Sequence, residues 1–208
     1  MARIAGRSYS REQVAEAAWR VILRDGLHNA SVRAIAKELN ATTGVVTYHF
    51  HDKAELLLFA LDRLGTAIVR DLDAALTGAT GIERVRRILR TTMPLGPREI
   101  SGWKLWMSFV GLAMSDKKLR EEHQRRLEIL NGRLEFEIRA LQARGEVPAE
   151  IDARQEADAL AALSDGIGLG YLLRPKAYPP EKQWSIVDGY LNSRFGVARS
   201  PGVKVPRR

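Results

Sequence analysis

The chain of 208 residues contains no cysteine, so disulfide staples and thiolate metal sites are excluded, and a reducing compartment is its natural setting. It has no apolar run near the roughly 18 residues that a membrane-spanning helix needs. Aromatic residues make up 7% and there are only 8 prolines, while 45% of residues are hydrophobic and 28% charged. That balance excludes collagen-like and wholly disordered chains and leaves a globular protein with a real core. The opening residues Met1 to Arg7 are basic but lead into charged positions where a secretory signal would need an apolar stretch, so a cytoplasmic location is expected. No stretch reads as a convincing strand, and no internal repeat is found.

Acidic residues are missing from the far end of the chain. Residues 194–208 carry five basic and no acidic residues; residues 1–53 carry eight basic against five acidic, and residues 54–193 balance at zero. The surplus of +8 therefore sits at the two ends. A basic head on a neutral body points to a polyanionic partner, such as nucleic acid or an anionic membrane surface. The tail, 195–208, holds two prolines and two glycines without apolar period and reads as disordered.

What remains is helical. Ser10-Arg11-Glu12-Gln13 has the form of a capping box, and Val14, Ala18, Val21 and Ile22 recur at helical spacing up to Asp25-Gly26. Ser31 caps a short second helix with Ile35, Ala36 and Leu39 inward. It ends at Asn40, a residue that tolerates the left-handed backbone of a tight turn. Thr42 caps a third helix with Val46 and Phe50 inward, and Asp52-Lys53-Ala54-Glu55 opens a long fourth helix to about Leu76. Further helices are expected over roughly 82–93, 98–115, 116–144, 152–173 and 180–194, with breaks at Pro94 to Pro97, Gly145 to Pro148 and Pro175 to Pro180. The fold class is all-α: a three-helix head, 1–53, a larger helical domain, 54–194, and the tail.

The turn Asn40-Ala41-Thr42 has the length that joins the two helices of a helix-turn-helix unit. The outward side of the third helix presents Thr43, Gly44, Val45, Thr47 and Tyr48. Hydroxyls bond base edges, Val45 suits a thymine methyl, and Gly44 removes bulk. Thr42, Tyr48, His49 and Lys53 are candidates for phosphates, and Ser31 and Arg33 for the groove's other side, with Arg33 long enough for a guanine. The expected partner is a double-stranded DNA operator. An all-helical enzyme would need a catalytic or metal constellation in the larger domain, and none assembles; a helical protein-interaction module with a basic head is the other alternative. Two S-x-x-K matches, at Ser101 and Ser115, lack the companion motifs of penicillin-recognising enzymes. Gly166, Gly168 and Gly170 follow no strand and form no dinucleotide loop. His28, His49, His51 and His123 offer no metal spacing, and no cofactor is expected.

The run from Ile35 to Leu56, with Gly44, Tyr48, His49, Phe50 and Lys53 at the shared spacing, resembles the N-terminal domain of the TetR-type family of bacterial transcriptional regulators, and the match extends over about Arg11 to Leu61. Asn40 departs from the usual turn glycine, and Thr47 stands where an aromatic is common. The resemblance implies a homodimer whose heads enter successive major grooves of a near-palindromic operator, with a helical domain that binds a small-molecule effector of unknown identity. A repressor released by its ligand is the expected regulator.

The later half resembles more loosely the C-terminal domain of choline-responsive betaine-pathway repressors, at Trp103 to Met114, Arg125 to Leu134 and Asp165 to Gly168. Ile100, Trp103, Met107, Val110 and Met114 recur in steps of three and four with Trp106 beside them. They read as core or as a pocket wall, and two tryptophans one turn apart suit a cation. The expected ligand residues are Trp103, Trp106, Met107, Val110, Met114 and Tyr171. Leu163, Gly166, Ile167 and Gly170, with Trp184, Val187, Tyr190 and Leu191, are expected at the dimer interface, or in intrachain packing of the same two helices.

Overall fold

A computed structural model describes residues 8–26 and 29–196, apart from the side chains of Lys53 and Leu64. Among the described residues the helices are α1 (Arg11–Asp25), α2 (Val32–Leu39), α3 (Thr43–His49), α4 (Lys53–Leu76), α5 (Ile82–Thr91), α6 (Pro97–Ala113), α7 (Lys117–Ala143), α8 (Ala153–Leu173) and α9 (Pro180–Phe195), with no strand between them. The tail from residue 197 onward lies outside the described residues, as does His28.

Local chemistry accounts for the ends. The Ser10 hydroxyl accepts from the Gln13 amide while the Gln13 side chain accepts from the Ser10 amide, a complete capping box. Gly26 ends α1 with φ +80°, a backbone conformation costly for other residues. Asn40 ends α2 in the left-handed region at φ 54°, ψ 45°, the only non-glycine among the described residues with positive φ. Thr42 sits at the N-cap of α3, but its hydroxyl makes no capping bond. Asp52 accepts from the Glu55 amide at 2.7 Å, while Glu55 reaches back to the His51 amide at 2.9 Å.

The chain packs as two compact units: residues up to Ile68 with Lys104–Arg120, and Val69–Trp103 with the chain from Glu121 onward. Packing thus divides the chain differently from the sequence division at residue 53. The reason is the head's core. Val14, Val21, Ile35, Val46 and Phe50 pack with Leu57 and Leu61 of α4 and with Leu105, Phe109 and Ala113 of α6. A three-helix head of some fifty residues buries little surface by itself and is completed by these longer helices. The second unit is built on Val85, Ile88 and Leu89 of α5, Leu134, Ile138 and Leu141 of α7, Leu160 and Ile167 of α8, and Val187, Leu191 and Phe195 of α9. Phe195 is buried and helical, so the helix takes in the first residue assigned to the tail and ends on Gly196 in the left-handed region.

Candidate nucleic-acid interface

Three features aim α3. The left-handed Asn40 folds the chain back sharply, the Ala41 amide bonds the Ala36 carbonyl at 2.9 Å, and the fully buried Val46 seats the helix on the head's core. The opposite side is left to solvent: Thr42, Thr43, Gly44, Thr47 and Tyr48 are all exposed, Tyr48 to 82%. The Tyr48 ring stands edge-on to the His49 ring, with centroids 5.0 Å apart, and most of its surface is left open to a partner. Thr47 donates weakly to the Thr43 and Gly44 carbonyls at 3.3 Å each, leaving its oxygen free to accept. Val45 is half-buried against the core, so only part of its surface can meet a base.

Charge pairing narrows the candidates further. Arg20 and Arg24 both bond Glu38, whose carboxyl is held below its ordinary range by Arg20 first and Arg24 second. Arg11 pairs with Glu55 at 2.5 Å and lies over the Phe50 and Phe59 rings, and Arg63 pairs with Glu16. Arg33 and Lys37, one turn apart on the outward side of α2, are exposed and have no acidic partner among the described residues. Lys37 is absent from the sequence-based candidates, although its i+4 spacing from Arg33 makes the pairing readable there. The Ser31 hydroxyl caps α2 by accepting from the Ala34 amide at 3.1 Å and keeps its hydrogen for a phosphate. The Lys53 side chain lies outside the described residues.

His49 is half-buried, and its Nε2 lies 2.7 Å from the Tyr9 carbonyl oxygen; a carbonyl only accepts, so this nitrogen donates inside the head.

In the second unit, Trp103 is buried and donates its indole N–H to the Thr92 carbonyl at 2.8 Å. The expected stripe on α6 does not form one wall. Gly102, Trp103, Leu105, Phe109 and Ala113 are the buried positions, Met107 and Val110 are half-buried, and Met114 lies beyond the helix end and is 73% exposed. Trp106 belongs to the head's unit, with its ring centroid 5.5 Å from that of Phe109. Because α6 is apolar on nearly every side, periodicity had no polar face to exclude. Tyr171 is half-buried on α8. Asp165, one turn before Gly168, has no hydrogen bond or ion pair to a described residue, and burial pushes its carboxyl above the usual range.

Clefts open elsewhere: one of about 320 Å³ between Tyr9, Gln13, Glu16, Arg20 and Glu38, and one of about 430 Å³ beside Gly81, Arg84, Arg144 and Glu146. Neither touches the expected ligand residues.

Residues 14–59 match the N-terminal model of the tetR family of bacterial regulatory proteins, and residues 81–196 match the BetI-type transcriptional repressor C-terminal model. The chain belongs to the TetR family. Similar to this TetR-family chain are the HTH-type transcriptional regulator PksA of Bacillus subtilis, 32% identical over 79% of this chain and 80% of that one, and the regulator BetI of Vibrio parahaemolyticus, 28% identical over 88% and 90%. A solved regulator from Saccharomonospora viridis, in complex with choline, superposes with a TM-score of 0.82 at 26% identity, over 89% of this chain and 96% of that one. This TetR-family chain is accordingly a ligand-responsive, DNA-binding transcriptional regulator.

Its surface on α8 and α9 differs from the one expected. Ile167, Gly170, Val187 and Leu191 are buried within the single chain, so they present nothing to a second copy. Gly168 and Gly170 make room for intrachain aromatics, the Trp103 and Tyr178 rings, rather than for another helix. The Tyr190 hydroxyl is spent on Glu156 at 2.6 Å, and burial together with that carboxylate pushes it up to about 12. Leu163, Trp184 and Tyr190 are half-exposed, and Gly166 is exposed. The open face instead carries Ala162, Gly166, Leu169 and Leu173 on α8 and Ser185, Gly189 and Ser193 on α9.

Proposed function

We propose that this protein is a homodimeric repressor that reads a near-palindromic operator with α3 of each copy and is released by a small molecule held in the second unit. The observation that carries the DNA reading is the exposed row Thr42, Thr43, Gly44, Thr47 and Tyr48 on a short helix after a left-handed turn, beside the unpaired Arg33 and Lys37. Hydroxyls and small residues let the backbone approach base edges, while the cations meet phosphates. Two heads in successive major grooves require half-sites about 34–36 Å apart. The small residues on the exposed faces of α8 and α9 support pairing with a second copy, since they allow helices to approach closely. The relatives being regulators supports this reading over an all-helical enzyme or a protein-interaction module.

For the effector, the unpaired Asp165 one turn from the Trp103 indole supports a cation with apolar groups, and Tyr171 lies one turn beyond on α8. The choline complex of the Saccharomonospora viridis protein makes choline the first probe. A ligand that releases DNA must bind the non-DNA form more tightly, by about 1–3 kcal/mol in ordinary cases.

The test is fluorescence anisotropy on labelled duplexes from the intergenic regions beside its own gene, against scrambled competitor at several salt concentrations, with and without choline. Binding that resists scrambled DNA supports the repressor reading. Binding removed equally by scrambled DNA across every duplex would leave only a basic helical protein. Specific binding unmoved by choline would redirect the effector search while leaving the DNA reading in place.

A further inference from the structure

The seven residues of α3 have one fully buried side chain, Val46, with Phe50 just beyond the helix end. A helix this short does not hold itself together, since isolated helices below about 12–15 residues are marginal. Its orientation must be imposed from outside. The Asn40 turn fixes its start; its end is held by a different device, and that device is one residue from the segment ahead of α1.

Tyr9 touches both helices of the reading unit. Its hydroxyl donates to the Leu39 carbonyl at 2.7 Å, which satisfies one of the unpaired carbonyls at the end of α2. Its own carbonyl oxygen receives the His49 Nε2 at 2.7 Å, at the last residue of α3. The Tyr9 ring packs against the head's core, so the tie is anchored rather than floating. A carbonyl only accepts, so this bond places a hydrogen on Nε2. The Nε2 hydrogen is therefore taken up by the Tyr9 carbonyl.

We propose that Tyr9 and His49 are positioning residues that clamp the end of the recognition helix to the end of α2, and that His49 serves DNA reading through this clamp. The inference rests on the DNA reading above. Base contacts depend on the placement of α3 to a fraction of an ångström, whereas phosphate contacts from flexible side chains tolerate drift. A loosened clamp should cost sequence preference and spare general affinity.

The experiment uses the full-length protein as wild type, Tyr9→Phe, His49→Phe, His49→Gln and the Tyr9→Phe/His49→Phe double variant. Amide hydrogen exchange is read at Val46 to Phe50, with α1 amides as the internal reference, and anisotropy gives the ratio of affinities for the preferred and the scrambled duplex. The clamp requires faster exchange in α3 alone for Tyr9→Phe and His49→Phe. It also requires a ratio lowered about five- to tenfold in each, as the loss of one hydrogen bond allows, with scrambled binding unchanged. The double variant falls short of the product of the singles, because both break one device. His49→Gln, whose side-chain amide carries an N–H at similar reach, stays within about twofold of wild type.

Unchanged α3 exchange or an unchanged ratio in either single variant overturns the proposal. So does equal weakening of both duplexes by His49→Phe, which would mark a direct phosphate contact. Should His49→Phe fail to fold, Tyr9→Phe against His49→Gln decides by the same criteria. Should the wild type prefer no duplex, the repressor reading falls while the exchange measurement alone still decides the clamp.

Discussion

The six-membered ring of the Trp103 indole occupies the space in which a side chain on Gly168 would begin: a Cβ built there would lie 2.2 Å from the nearest ring carbon. The Trp103 ring cannot retreat freely, because its N–H is tied to the Thr92 carbonyl and Thr92 is tied in turn to Ser164 on α8. Gly168→Ala is therefore expected to lower stability by about 1–3 kcal/mol through overpacking. Gly111→Ala on α6, where nothing lies within 4 Å, is expected instead to raise it by about 0.5–1 kcal/mol. Thermal melts of the two variants check the contrast, and an equal effect of both would show that the indole does not constrain Gly168.

Asn40 holds its left-handed conformation without being glycine. Asn40→Gly should leave the melting temperature nearly unchanged. Asn40→Val should cost about 1–2 kcal/mol, because Cβ meets the following carbonyl there, and it should weaken specific DNA binding.

Asp165 carries a pH signature. Its carboxyl is raised by burial, so the folded state disfavours the ionised form: the penalty is present at neutral pH and fades as the pH falls through the raised value. Asp165→Asn should raise stability at pH 7, with a gain that shrinks toward low pH. The same variant should lose any response to a cationic effector, read as choline-dependent release of DNA.

Gly166 lies on the open face of α8, where a Cβ would meet nothing within 4 Å. Gly166→Arg should therefore fold as a monomer yet fail to pair. Sedimentation at micromolar concentration is expected to show a single copy and a loss of operator affinity; a persistent dimer would place the interface elsewhere.

Arg33→Ala and Lys37→Ala separate reading from attraction. If Arg33 reaches a base, its loss should relax sequence preference at one position by about 1–3 kcal/mol. If Lys37 meets a phosphate, its loss should weaken all DNA alike and reduce the log-log salt slope by about 0.9 per contact.

The sequence by itself determined the elements and their ends, because caps and turns are chemistry between residues a few positions apart. Ser10 with Gln13, the left-handed Asn40 and the breaks at Pro94, Gly145 and Pro175 could all be read there, and the helices begin and end within a few residues of the expected places. The exposed row on α3 was legible for the same reason: a helix with one apolar face declares its other face. Only the tertiary structure decided which side of α6 is buried, since a helix apolar all round offers no period to read. It alone showed that Gly168 and Gly170 admit aromatic rings of their own chain, and that Ile167, Val187 and Leu191 are core. The tie from Tyr9 to Leu39 and His49 spans thirty and forty positions, a separation over which spacing carries no signal. Such contacts come into being only when packing brings distant segments within hydrogen-bond reach.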